Sequence, residues 1–220
     1  MKDLLHEMMI GTPKRQYPAL PRYKVLYSLS CSLGARNFFD CVAKNKITAI
    51  CDIRLWKRYR GYGFATQQDD FRFLCETFGI TYISADILAP TQEIRDTFHT
   101  EFIEPTIAES GNDNAWTAYL ESYEVLLQQR KPIQKGFMHD LLYDSRHDHI
   151  ALVCSCGHHD DCHRSYACGV FERYIPNVEV EILYPRDGKP PKPKSPRRYR
   201  KKDFIHAGLL KNVPRRIKDG

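Results

Sequence analysis

No stretch of about twenty consecutive apolar residues occurs in this 220-residue chain, so no membrane-spanning helix and no membrane partner are expected. The opening segment, MKDLLHEMMIGTPKRQ, has an acid and a histidine inside its short apolar stretch. It lacks the apolar core of a secretory signal peptide, and the expected location is cytoplasmic. Eight cysteines in that compartment stay mostly reduced, which excludes a disulfide framework. Internal repeats are absent, which excludes a repeat array. Residues 90–148 contain no strand pattern, so any sheet must be built from what lies on either side.

What is present suits a packed domain with an appendage: 42% of residues are hydrophobic and 12% are aromatic. The formal net charge of +6 is unevenly spread. Residues 186–220 hold 13 Lys and Arg against 3 Asp and Glu, a net +10, and the remainder holds 20 against 24, a net −4. A mildly acidic body with a strongly basic arm reads as a globular domain that seeks nucleic acid, or as a domain with a solubilising tail. Prolines in RDGKPPKPKSPRRYRKK favour extended polyproline II there.

Taken in order, residues 1–22 read as a lead-in arm with Pro13, Pro18 and Pro21. Strands are expected over Tyr23–Leu29, Ile47–Ile53, Ile80–Ile87, 149–155 and 178–185 from their apolar, β-branched content. Helices are expected over 34–45 and 67–79, with Gly79 as a C-terminal cap. Cys41 and Cys75 fall on apolar helix positions and are expected to be buried. Two further helices fall inside 90–148, separated by Gly111-Asn112, with a short one over 135–144. Strand, helix and strand within about thirty residues make a βαβ unit. The fold class is therefore α/β: a mainly parallel sheet of about five strands flanked by helices, with a helical insert over 90–148 and a basic C-terminal tail. The α/β domain covers 23–185, and 178–185 alternates as an edge strand does.

In such a sheet, ligands bind beyond the carboxyl ends of the strands. Those ends supply Ser28, Ser30 and Ser32, then Asp52 and Arg54, then Ser84 and Asp86, then Cys154 to Arg164. The last set lies in HIALVCSCGHHDDCHRSYACGVFERY (149–174), read as strand, polar loop and helix. Its Cys162-His163-Arg164 opens the helix, where partial positive charge favours anions and thiolates. Three readings follow. Cys162 is a nucleophile with a depressed pKa; or Cys154, Cys156, His158, Cys162 and His163 offer ligands to zinc or iron; or the residues only cap and tie the loop. Arg54 with Arg164, helped by Ser30 and Ser32, would clamp a phosphate, with Asp52 as base or imidazole partner, unless Asp52 and Arg54 form a structural ion pair. After Arg54, the cations Lys57, Arg58 and Arg60 interleave with Trp56 and Tyr59, a pattern suited to stacking and neutralising single-stranded nucleic acid, or to an amphipathic surface loop.

VLYSLSCS, ITAICDIR, FGITYISADIL, AWTAYLESYEVLL and above all LVCSCGHHDDCHR resemble the domain of unknown function 488 family. Within that pattern fall Cys154, Cys162 and His163, and the resemblance also reaches Asp52 and Arg54. It implies an α/β fold and brings no reaction or cofactor with it. Together these readings lead to an enzyme acting on a nucleotide or nucleic acid at the carboxyl edge of the sheet. In it Cys162, His163 and Asp52 are catalytic, and Arg54, Arg164, Ser30 and Ser32 hold the anion. The alternatives are a nucleic-acid-binding module without catalysis and a metal-binding regulatory protein.

Overall fold

The structure is a computed structural model describing residues 23–183 apart from 33, 58–59, 103–112, 133–140, 144–145, 157–158, 160–161 and 176. For 60–62, 98–102, 113–115 and 173–174 it describes the backbone alone. The expected arm over 1–22, the basic tail, Arg58, Tyr59 and His158 thus lie outside the described residues. The elements are β1 (Lys24–Ser30), α1 (Ala35–Lys44), β2 (Ala49–Asp52), α2 (Gln68–Thr77), β3 (Thr81–Ser84), α3 (Gln92–Phe102), α4 (Asp113–Arg130), β4 (His149–Cys154), α5 (His163–Tyr174) and β5 (Val178–Ile182).

The five strands form one sheet in the order β3-β2-β4-β1-β5, and every pairing is parallel. The α/β architecture expected from the sequence is therefore present, with β5 at an edge. All seven residues of β1 are buried, as a central parallel strand requires when both faces are covered. Alternate residues go to opposite faces. Val25, Tyr27, Leu29, Ile50, Ala151 and Val153 pack on Phe38, Phe39 and Val42 of α1 and on Phe71 and Cys75 of α2. Leu26, Cys51, Ile53, Leu152 and Cys154 pack on the other side, against Trp116, Tyr119, Tyr123 and Leu127 of α4 and Ala167, Cys168 and Phe171 of α5. The α4 residues recur at helical spacing and form one apolar stripe.

Three local expectations are corrected. The third strand stops at Ser84, and Asp86–Leu88 forms a short 3-10 turn. Its carbonyls bond side chains of the insert instead of a strand: Tyr123 Oη donates to Leu88 O (2.6 Å), and Arg130 Nη1 donates to Asp86 O (3.0 Å) and Ile87 O (3.3 Å). The second strand is shorter than expected, Ala49–Asp52. Cys41 is only half-buried, because it lies at the margin of the α1 core face, whereas Cys75 is buried. Gly79 adopts φ +71 and ends α2 with its N–H on Glu76 O, as expected of a cap.

This topology places a switch in the direction of the connections beside β4. α1 and α2, which follow β1 and β2, cover one face. α5, which follows β4, covers the other, and β4 sits between β1 and β2. The chain therefore leaves the carboxyl ends of neighbouring strands in opposite directions, the arrangement that opens a binding position in parallel sheets.

Candidate functional site

At that edge β4 ends in Cys154 and α5 begins at His163, with Cys162 as its N-cap. Cys162 has extended backbone, and its Sγ accepts the Arg164 N–H at 3.5 Å. The cap turns the Cys162 side chain back over the end of β4. There Cys154 Sγ and Cys156 Sγ are 3.7 Å apart, and the sulfurs of Cys154, Cys156 and Cys162 all lie within 4.8 Å of one another. Cys154 and Cys162 are buried and Cys156 is half-buried.

His163 is buried beside them. Its Nε2 lies 2.9 Å from Ile53 O, and a carbonyl can only accept, so Nε2 carries the proton. Burial pulls the His163 pKa down and favours the neutral ring. Nδ1 is then the bare nitrogen, and it stands 3.8 Å from Cys162 Sγ. The Tyr123 ring meets the His163 ring edge-on at 5.5 Å. Trp116 and Tyr119 are stacked at 4.9 Å on the same helix stripe. The thiols electrostatically raise the pKa values of both Tyr119 and Tyr123, after the larger effect of burial, so α4 lies over the cluster.

Arg164 is almost fully buried and is consumed by the fold. Its Nε donates to Ser28 Oγ (2.7 Å), its Nη1 to Leu29 O (2.9 Å) and Cys154 O (3.2 Å), and its Nη2 to Cys156 O (3.5 Å). One guanidinium thus ties the ends of β1 and β4 and the loop that carries Cys156. Ser28 Oγ also bonds His159 Nδ1 at 2.5 Å, which brings His159 to the same cluster. Among the described residues no carboxylate pairs with Arg164. Burial works against its charge, but the surrounding sulfurs outweigh that and raise its pKa.

The thiols divide accordingly. The close approach of Cys156 and Cys162 holds the Cys154 thiol well below its ordinary value. Cys156 is pushed up to about 12, chiefly by its bond to Cys154. Burial pushes Cys162 well up, and the neighbouring sulfurs add to it. The depressed pKa expected for Cys162 from its helix N-terminus is therefore corrected: desolvation exceeds the helix-end effect. Cys31, Cys75 and Cys168 are pushed up to about 12 by burial.

Asp52 and Arg54 are not part of this cluster. Asp52 lies on the Ile50 side of β2, toward α1 and α2, whereas Cys51 and Ile53 face α4 and α5. Arg54 Nε and Nη2 grip the two Asp52 oxygens at 2.8 and 2.7 Å, and Nη1 donates to Ala65 O at 2.6 Å. Tyr82 Oη donates to Asp52 Oδ2 at 2.7 Å, and the guanidinium lies 5.3 Å from the centre of the Phe71 ring. Both members are buried. Arg54 is thus engaged by Asp52 and Ala65 O, whereas Arg164 is engaged by Ser28 and the carbonyls at the ends of β1 and β4. Ser30 Oγ and Ser32 Oγ bond each other at 2.8 Å.

In the loop after Arg54, Trp56 and Lys57 are likewise turned to packing. Trp56 Nε1 donates to Gln92 Oε1 at 2.6 Å, and Lys57 is buried and pairs with Asp86. Arg60 opens a 3-10 segment, Arg60–Ala65, of which its side chain is not described. The interleaving of cations and rings seen in the sequence thus serves, at Trp56 and Lys57, to dock the turn after β3 and the helical insert. Two features escaped sequence reasoning. The Trp116, Tyr119 and Tyr123 spacing signalled a helix stripe but not its position over the thiols. Arg95 of α3 stands 4.1 Å from the centre of the Trp56 ring, and no sequence motif marks it.

A family model described as "Domain of unknown function DUF488" matches residues 34–170. No curated protein and no solved structure matches.

Proposed function

Because this chain belongs to the DUF488 family, whose description names no reaction, its function has to be read from the site, and we propose that it is a metal-binding protein. Cys154, Cys156 and Cys162 hold a thiophilic divalent ion, zinc or ferrous iron, with the His163 imidazole beside them. The convergence of three sulfurs on one point carries this reading. With Zn–S bonds of about 2.3 Å, the sulfur–sulfur edge of a tetrahedron is about 3.8 Å, and Cys154 and Cys156 stand 3.7 Å apart. The hydrogen bonding of His163 agrees. A ligating imidazole typically donates its other N–H to a carbonyl or carboxylate, and His163 gives Nε2–H to Ile53 O while Nδ1 faces Cys162. Charge agrees as well. Three thiolates with a divalent ion carry one net negative charge, and Arg164 is the buried cation beside them.

An enzyme acting on a nucleotide or nucleic acid drew its phosphate grip from Arg54 and Arg164, and both guanidiniums are engaged inside the protein. A nucleic-acid partner is then supported by the basic tail and by the cations of 58–60. The nucleophile reading keeps one observation of its own, the Cys162 Sγ to His163 Nδ1 approach at 3.8 Å. In it the imidazole accepts the thiol proton, leaving a Cys162 thiolate beside an imidazolium.

The two readings separate on cobalt. Chelator-treated protein titrated with Co(II) is expected to develop intense near-ultraviolet thiolate charge-transfer bands and visible bands of a tetrahedral ion. Zinc displaces them, and Cys154→Ser and Cys162→Ser each abolish the tight phase. Iodoacetamide is expected to label Cys162 only after the metal is removed. A wild-type protein that gives no thiolate band, with Cys162 alkylated at the same rate with and without metal, overturns the metal reading in favour of the nucleophile.

A further inference from the structure

The insert places a second chemical group at this edge. Arg95 lies on α3, its guanidinium over the Trp56 ring. The ring is fixed, because its Nε1 bonds Gln92, whose Nε2 in turn bonds Asp96 Oδ1 at 2.6 Å. Stacking a guanidinium on an anchored indole holds it in place before any ligand arrives. Yet Arg95 Nε is buried and has no hydrogen-bond partner among the described residues. The described carboxylates that form ion pairs do so with Lys24, Arg36, Arg54 and Lys57. A buried donor left without an acceptor is unfavourable, and it persists where a ligand supplies the acceptor.

Arg95 also points to where that ligand sits. Trp56 follows Ile53 by three residues, and the Ile53 carbonyl holds His163. Arginine presents a planar fork of N–H donors that matches the oxygens of a carboxylate or phosphate. Arg164 and Arg54 have similar forks, but theirs are spent on protein oxygens.

We propose that Arg95, seated on Trp56, is the recognition group for an oxyanion, a carboxylate or phosphate, of a small ligand that binds at the sheet edge that also carries the Cys154–Cys156–Cys162 cluster. The proposal rests on the metal reading only for what the ligand's other end meets; the oxyanion contact stands without the ion. A cation at this position gives the centre a substrate class, which a purely structural metal site lacks.

The chain has two tryptophans, Trp56 and Trp116, so the site reports on itself. Full-length protein carrying 5-fluorotryptophan gives two fluorine resonances, assigned with Trp116→Phe. Inorganic phosphate and acetate are titrated separately at constant ionic strength set with chloride, which also screens the basic tail. The expected result is a saturable shift of the Trp56 resonance with at least one of the two anions, and the anion that saturates names the source. Arg95→Gln, which keeps the aliphatic stem, is expected to weaken that binding by roughly tenfold to a hundredfold. Arg95→Lys, which lacks the fork, restores only part of it. Metal content is expected to be unchanged in both variants, and the anion shift is expected to survive chelation, so failure of the metal reading is seen separately. No saturable shift in the wild type, or equal affinity in Arg95→Gln with an unchanged circular dichroism spectrum, overturns the proposal.

Discussion

Replacing Arg164 with alanine is expected to remove the folded state, or to leave a protein with a much lower denaturation midpoint. The guanidinium reaches Ser28 Oγ, Leu29 O, Cys154 O and Cys156 O, all at the carboxyl edge. Each hydrogen bond to a buried charged donor contributes about 1.5–3 kcal/mol, and the acceptors left behind cannot reach water. The summed loss falls at the exceptional end for one substitution, above about 4 kcal/mol. Arg164→Lys is expected to rescue little, because one ammonium cannot span two strand ends and the loop. Urea denaturation followed by circular dichroism checks both variants. A midpoint for Arg164→Ala close to wild type would show that the strand ends do not depend on this tie.

The second large effect lies on the opposite face. Asp52→Ala leaves the Arg54 cation buried against Phe71 with its carboxylate partner gone. Breaking a buried pair from one side costs about 3–5 kcal/mol. For a chain of this size, each kcal/mol lowers the melting temperature by roughly 2–4 °C, so a fall of roughly 6–20 °C is expected. Tyr82→Phe removes only the hydroxyl on Asp52 Oδ2 and is expected to cost less, about 1.5–3 kcal/mol. The informative control is the double variant Asp52→Leu with Arg54→Met, which removes both charges and is expected to recover most of the loss. Both kinds of variant are expected to keep their metal, because the sheet separates this pair from the thiols. Loss of metal from a folded Asp52→Ala protein would place the pair in the site after all.

The contrast between these two arginines shows what could be read from the chain. The strands, their parallel direction and their shared edge follow from apolar runs spaced by helices, and Cys154, Cys162 and His163 lie at that edge. Which face each edge residue serves was also latent in the sequence. Asp52 and Arg54 share a side because strands have period two, but that parity has to be tied to a helix layer, and only the packing of Ile50 against Phe71 and of Ile53 against α4 and α5 does so. Cys162 was legible as a helix-capping thiol. Its raised pKa was not, because desolvation depends on the insert that lies over it. Trp56 and Lys57 form the same pattern whether rings and cations meet a nucleic acid or another part of the protein. Gln92 and Asp86, more than twenty-five residues away in the chain, decide for the protein. Arg95 was invisible for the same reason, since its meaning comes only from the ring beneath it.

The most direct measurement is the metal content of the full-length protein, purified without chelator, determined by elemental analysis together with titration of accessible thiols. The account predicts about one equivalent of zinc or iron per chain. It predicts loss of that metal in the Cys154→Ser, Cys156→Ser and Cys162→Ser triple variant, and fewer accessible thiols in the wild type with the ion bound than without it. Metal-free wild-type protein that stays metal-free after incubation with zinc or ferrous iron, with its thiol count unchanged by chelator, would contradict it.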